Sequence, residues 1–521
     1  MSSTPQNHVS DAVSTATGIT QKGLGAGTVG LLGAIVIGIS CIAPAYTLTG
    51  ALGPTVSEVG NQALAVIMLG FIPMFLVAFG YRELNAAMPD SGSSFTWASI
   101  AFGPRTGWMA GWGLIAATIL VLSNLAGIAV EFFYLLIGQL AGGNSQISSL
   151  YENPFINVAT CLVFIVIATF ISYRDMQTTQ KLQYVLVGFQ ILVMVGFGVM
   201  AFMRVTSGDA PVGSQPFDLS WFNPFEVAGD TTAIKFSAIA AGLSLSLFIF
   251  WGWDVILTMS EETKGSSSTP GKAATLTMVI IVSVYLFVSA ASLSFAGMGT
   301  TGNGLGNPKM QENVFFFLAD PVMGPLAALM SLAVLSSSFA SLQSTVVGPA
   351  RTMLAMGHYG ALPKRFDSIH PKFFTPGFAT VVSSVAAAVF YAVMRFVSNS
   401  VLWDTITALG AMICFYYGLT ALAAVWYFRK TWFTSVRNFI FRLAMPLIGG
   451  VILGVLFFMT LKDSMDPNYG SGSQIAGVGL VFILTLGVIL LGAVIMVVQN
   501  IKRPDFFNGK TLQKTFAQRG D

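Results

Sequence analysis

Apolar runs of about 20 residues recur along the chain, and most Lys, Arg, Asp and Glu residues fall between them. A helix needs about 20 apolar residues to cross the hydrocarbon of a bilayer. We count twelve such runs, centred near residues 42, 71, 123, 164, 192, 247, 284, 335, 386, 414, 450 and 487. Polar connections carrying Gly, Pro and Asn join them. The pattern predicts an all-α integral membrane protein. Composition agrees: only 9% of the 521 residues are charged, against roughly 25% in soluble domains, and the mean hydropathy is +0.74.

The distribution of cations predicts orientation, because loops on the cytoplasmic side carry the excess of Lys and Arg. With the N-terminus inside and the spans alternating, 20 of the 25 Lys and Arg residues fall on the inner side. The outer side holds Arg204, Lys235, Lys309, Arg395 and Lys462. A multi-pass protein of the plasma (inner) membrane with both termini cytoplasmic is expected. Residues 1–28 are polar and the first apolar run is too long for a signal sequence, so that run should remain as a span.

Several features point away from other chemistry. A net charge of +3 with no basic cluster gives no ground for a nucleic-acid partner. Cys41, Cys161 and Cys414 all lie in apolar runs, which implies no disulfide framework. "GLGAGTVG" (23–30) has the glycine spacing of a dinucleotide loop but lacks the preceding strand. "GSSSTPGKA" (265–273) has the wrong spacing for a phosphate loop. His8, His358 and His370 have neither metal-ligand spacing nor a nucleophile and acid to work with. No enzyme activity, cofactor or resident metal is expected.

Two runs carry their own interruptions. In "VIGISCIAPAYTLTGALG" (36–53), Gly38, Ser40 and Pro44 weaken the first span at its middle; five spans later, Gly252 interrupts "LSLFIFWGWDVILTMSEE" (245–262). A helix breaks at membrane depth only where the freed backbone groups line a cavity or are buried in protein. Paired interruptions at corresponding places in two halves are the sequence pointer to a transporter's binding site.

Three longer stretches carry a family resemblance: "YRELNAAMPDSGSSFTWASIAFGPRTGWMAGW" (81–112), "FWGWDVILTMSEETKGSSSTPGKA" (250–273) and "GPARTMLAMGHYGALPKRFDSIHPKFFTPGFA" (348–379). In order and content they resemble the amino acid–polyamine–organocation superfamily of permeases. "GWDVILTMSEET" and "MPLIGGVILGVLFFMTL" (445–461) are further similar to bacterial putrescine importers and related amino-acid permeases. The resemblance implies a leucine-transporter-type fold of twelve transmembrane helices. A ten-helix core of two inverted five-helix repeats would occupy 29–427, two extra spans 428–500, and cytoplasmic tails 1–28 and 501–521.

The resemblance also implies site residues. Backbone N–H groups at Ile39, Ser40, Cys41, Ile42 and Ala43 would hold a substrate carboxylate at a half-helix terminus; Ser40 would alternatively bond within its own helix. The carbonyls of Phe250, Trp251 and Gly252 would receive the substrate amine, and Trp251 and Trp253 would either cover it or simply pack. Asp254, a carboxylate inside a span, would bind an amine, carry a proton, or form a structural pair or cap. Asn124 would line the site or bond between packed helices. Glu131 is a second buried-looking acid nearer a span end. Gln190 stands where proton-coupled relatives carry a lysine and, unlike a lysine, cannot cycle a proton. The coupling ion is then H⁺, carried by Asp254 or Glu131, or Na⁺ at oxygens such as those of Ser337 and Ser338. The expected function is ion-coupled secondary transport of an amino acid or small amine such as putrescine, by symport or exchange, with a small-molecule substrate and the lipid bilayer as partners. An ion channel is the rival, but no filter-like repeat supports it. Nothing here indicates an oligomeric state.

Overall fold

The computed structural model describes residues 19–518 apart from 175, 312, 398–400 and 470. His8, Arg519 and most of the N-terminal tail lie outside the described residues. The first span is two helices, α1 (Leu31–Ile42) and α2 (Pro44–Val59). Pro44 has no N–H to continue the ladder, and its ring drives the preceding residue out of the right-handed helical region. Ala43 takes φ 56° and ψ 63°, and its N–H caps the carbonyls of Ile39 and Ser40 at 3.0 and 3.1 Å. The interruption expected over residues 38–44 is therefore confined to one residue. Ile39, Ser40, Cys41 and Ile42, expected to be unwound, complete the last turn of α1, because the effect of a proline is local to its own bond and the residue before it.

The remaining principal helices follow in order: α3 (Ala63–Ala87), α4 (Ser94–Phe102), α5 (Pro104–Leu140), α6 (Pro154–Ser172), α7 (Met176–Ser207), α8 (Thr232–Ile249), α9 (Val255–Thr258), α10 (Thr269–Ala296), α11 (Val314–Met323), α12 (Ala327–Thr345), α13 (Val347–His358), α14 (Gly377–Val397), α15 (Val401–Tyr427), α16 (Met445–Asp463) and α17 (Leu480–Lys502). Between α16 and α17 a two-residue hairpin pairs β1 (Gln474–Ile475) with β2 (Val478–Gly479) in antiparallel register, Gln474 opposite Gly479. Among the described residues, ten helical stretches are long and apolar enough to cross a bilayer, against the twelve expected. The difference lies at the breaks. Leu31–Ala87 is continuous enough to count as one stretch of 57 residues, yet at about 1.5 Å per residue it is far too long for a single crossing. Ile234–Ile249 falls short because its span is cut.

The arrangement follows burial. In α5 89% of the most apolar window is buried, whereas in α17 the share is 17%. Thus α5 is central and α17 is a lipid-facing wall. One turn before the end of the partly buried α3, Glu83 accepts from Arg437 and from Arg442 (3.0 Å to Nε) and so ties the α15–α16 connection to the core.

The face that carries both ends of the described chain is closed by charge pairs. Lys22 Nζ lies 2.6 Å from Asp90 and 2.8 Å from Glu261, with its side chain fully buried. The Tyr359 hydroxyl donates to the same Asp90 at 2.6 Å, and Thr96 and the Gly92 N–H fill the other Asp90 oxygen. Next along, Val29 bridges the chain near Thr263, and Arg351 holds Glu262 through two 2.9 Å bonds. The C-terminal segment docks beside them, with Phe506 and Phe507 buried and the Ala517 N–H donating to the Tyr427 carbonyl at 3.0 Å.

Burial opposes the charged form of Lys22, but the Asp90 carboxylate, the Tyr359 oxygen and the Glu261 carboxylate beside it outweigh that and raise its pKa above the ordinary lysine value. Burial also opposes ionised Asp90, and Lys22 reverses that, holding Asp90 below the ordinary carboxylate range. A raised lysine contributes fully below its unfolded pKa, and a lowered carboxylate fully above its own. Between about pH 5 and 9 the pair therefore keeps both charges. Removing one partner of a buried pair leaves uncompensated charge and costs about 3–5 kcal/mol. Lys22→Met is expected to lower the melting temperature by a similar amount at every pH in that interval, read by thermal shift in detergent. A loss that changes steeply with pH there would show that one of the groups titrates and the pairing is wrongly assigned.

Candidate functional site

The two interruptions meet. After α8, residues 250–254 form turns before the short α9, and Gly252 at their centre has φ 112°. A Cβ on Gly252 would lie 2.9 Å from the carbonyl carbon of Cys41, 3.0 Å from its oxygen and 3.2 Å from the Ile42 nitrogen. The break of the sixth span therefore packs backbone to backbone against the last turn of α1, and both the φ and the contact demand glycine. Among the described residues, the carbonyls of Phe250 and Trp251 receive no backbone N–H, while that of Gly252 accepts from Val255 at 3.3 Å. Two of the three expected acceptors are thus free of backbone partners.

Aromatic side chains enclose this junction. The Phe250 ring sits 5.4 Å from Phe71 and 5.5 Å from Tyr285, and the Tyr285 hydroxyl shares a 2.5 Å bond with Thr47 in α2. Trp253 lies 5.0 Å from both Tyr81 and Tyr417. Trp251 donates its indole N–H to the Tyr416 hydroxyl at 2.6 Å. Both tryptophans are therefore packed in place.

Asp254 is 1% exposed. The Tyr417 hydroxyl donates to Oδ1 at 2.7 Å and the Tyr416 hydroxyl to Oδ2 at 3.0 Å. Among the described residues it forms no ion pair within 4 Å. The carboxylate thus ties the broken span to α15 through two neutral donors, and Trp251 extends the chain by one bond. Asn124 in α5 makes the second link to α15: its Oδ1 accepts from Thr405 at 2.5 Å. Among the described residues its buried Nδ2, the Tyr46 hydroxyl and the Trp253 indole N–H have no hydrogen-bond partner.

The ion candidates scatter. Ser338 donates to the Val334 carbonyl in its own helix at 3.0 Å. Ser337 meets α2 only through a 3.5 Å contact from the Tyr46 N–H. The connection between α1 and α12 runs one turn further on: Ser341 donates to the Cys41 carbonyl at 3.0 Å, and Ser40 pairs with Ser344 at 2.9 Å. Ser40 therefore bonds across to α12 rather than within its own helix. Gln190 is fully buried, and among the described residues neither amide atom has a hydrogen-bond partner. Glu131 lies apart, half-buried, accepting from Asn313 at 2.6 Å. Among the described residues no group of three or more His, Cys, Asp or Glu could hold a metal ion.

Sequence reasoning missed Tyr416, Tyr417, Ser341 and Ser344. A tandem tyrosine inside the apolar "MICFYYGLTAL" (412–422) was the available signal, since a buried phenol needs a partner. The serines follow the same logic: Ser341 lies one helical turn and Ser344 two turns beyond Ser337, on the face of α12 that bonds to α1.

The family model for amino acid permeases matches residues 33–505. The branched-chain amino acid permease BcaP of Lactococcus lactis subsp. cremoris (strain MG1363) is 26% identical over 209 residues, covering 38% of this chain and 41% of that protein. The methylthioribose transporter of Bacillus subtilis (strain 168) is 24% identical over 203 residues, covering 37% of this chain and 41% of that protein. The matches thus span about two-fifths of the length of each curated relative. Among solved structures, MhsT in complex with L-phenylalanine aligns with a TM-score of 0.59 over 82% of this chain and 98% of that chain, at 14% identity. At that identity the likeness is one of fold, and the fold is the expected leucine-transporter type.

Gly252→Ala adds a methyl group where backbone atoms already stand within 3.2 Å. It is expected to separate the two breaks and abolish ligand-induced stabilisation, read by thermal shift, while Gly454→Ala, which meets nothing within 4 Å, leaves it intact.

Proposed function

Because the chain belongs to the amino acid permease family, we propose that it carries an amino acid across the membrane by alternating access, with the substrate seated where the breaks of the first and sixth spans meet. The carrying observation is the contact of Gly252 with Cys41 and Ile42. It brings a left-handed helix break, free carbonyls at Phe250 and Trp251 and the Trp253 indole N–H, unpartnered among the described residues, into one region of the core. A zwitterion needs donors for its carboxylate and acceptors for its ammonium group, and these backbone and side-chain groups offer both. No covalent chemistry enters this reading.

The preferred substrate is a neutral, apolar amino acid. Both Asp254 oxygens already accept tyrosine hydroxyls, and aromatic rings surround the junction. Two of the three relatives' names lean the same way, with BcaP a branched-chain amino acid permease and MhsT holding L-phenylalanine, while the third is a methylthioribose transporter. A second reading, a diamine such as putrescine, is favoured by one observation: Asp254 is a buried acid without an ion pair. A carboxylate has about four lone-pair sites, so two tyrosines leave room for an ammonium group.

Coupling to an ion gradient belongs to the proposal. The Cys41 carbonyl with Ser341 offers oxygens suited to Na⁺, and Gln190, which cannot cycle a proton, leaves Asp254 as the H⁺ alternative. We place the protein in the plasma membrane with both termini cytoplasmic, in line with the Lys and Arg distribution.

A ligand that binds only the native state raises the melting temperature. Purified protein is expected to be stabilised by leucine-like or aromatic amino acids, and Asp254→Asn should weaken that binding by less than about tenfold, near 1.4 kcal/mol. Stabilisation by putrescine alone, abolished by Asp254→Asn, would overturn the amino-acid reading. Repeating the titration with and without Na⁺ separates the two coupling ions.

A further inference from the structure

On the lipid-facing surface, α6 and α14 leave a groove of about 690 Å³ between them, lined by residues 162–173 of one and 381–392 of the other. Its rims project outward, with Val166 66%, Phe170 60%, Val385 55% and Val389 58% exposed. The two hydroxyls at its floor are spent on their own helices, Thr169 on Ile165 and Ser384 on Thr380. The groove therefore offers only apolar surface. Eleven residues of helix span about 16 Å, close to half of a hydrocarbon core of about 30 Å. A single acyl chain of one leaflet has that reach.

The groove ends in cations. Arg174 stacks on the groove residue Phe170 at 4.6 Å. Tyr173, also in the groove, packs 5.4 Å from His370 and 6.3 Å from Phe373, and Lys372 Nζ lies 5.7 Å from the Phe373 ring. Among the described residues neither Arg174 nor Lys372 forms an ion pair. This mouth opens on the side of the chain termini, where lipid headgroups meet water. An apolar channel one leaflet deep, with two cations at headgroup level that pair with no acid among the described residues, matches the two ends of an anionic amphiphile.

We propose that this groove binds an anionic phospholipid, with one acyl chain between α6 and α14 and the phosphate held by Arg174 and Lys372. Both helices pack on the core, α14 against α5 and α6 against α12, so the bound lipid braces the wall around the central span. Near a charged membrane surface each Lys or Arg contributes on the order of 1 kcal/mol.

Delipidated full-length protein in detergent, titrated with phosphatidylglycerol or phosphatidylcholine of the same chains, tests this by thermal shift and native mass spectrometry. Phosphatidylglycerol is expected to bind about tenfold or more tightly. The double substitution Arg174→Ala with Lys372→Ala should erase that preference without changing the melting temperature of the lipid-free protein. Val385→Trp, which fills the groove, should remove binding of both lipids. Equal binding of the two lipids, or a preference that survives the double substitution, overturns the proposal. So does a lipid-independent dimer lost on Val385→Trp, which would assign the groove to a second copy of the chain.

Discussion

A backbone amide or carbonyl left unpaired in hydrocarbon costs several kcal/mol, so a spanning helix opens only where protein or a wet cavity receives the freed groups. The rest of this structure follows from how that constraint is met. Pro44 removes one donor outright, and Ala43 turns left-handed to cap two carbonyls with its single N–H. The sixth span opens over residues 250–254 and lays Gly252 directly on the first break. Each opening is thus shielded from lipid by the other, and α3, α10 and α12 close around the pair.

Charge is handled by the same rule of local compensation. Asp254 sits at membrane depth with two phenolic donors in place of a cation. On the face bearing the chain termini the opposite choice is made. Lys22, Asp90, Glu261, Glu262 and Arg351 are buried as full ion pairs, and desolvated charges of that kind favour one geometry over near neighbours.

Much of this was legible from residues alone. Spacing of apolar runs located the spans, and Gly252 and Pro44 marked the breaks because their backbone preferences act within one or two residues. The same locality explains the error at residues 39–42: a stretch of Gly, Ser and Pro suggests a loose segment, yet only the residue before the proline had to leave the helix. The partners of Asp254 lie about 160 residues away, and no local pattern encodes such a distance. Lys22 entered the sequence reading only as one cation in a count, since its two acids come from separate loops. Ser337 and Ser338 come from a serine run, whereas the serines of α12 that bond across to α1 are Ser341 and Ser344, a matter of helix phase that composition does not give.

The tandem Glu261 and Glu262 are adjacent in sequence and point to different anchors, one to the N-terminal segment and the other to Arg351 in α13. The short turn that bears them, Ser260–Glu262, directly follows the broken span. Two adjacent residues thus fasten one turn to two separate elements, so separating the turn from either anchor leaves a desolvated charge without its partner. The break in the sixth span is in this way tethered at its far end to both the N-terminal segment and α13.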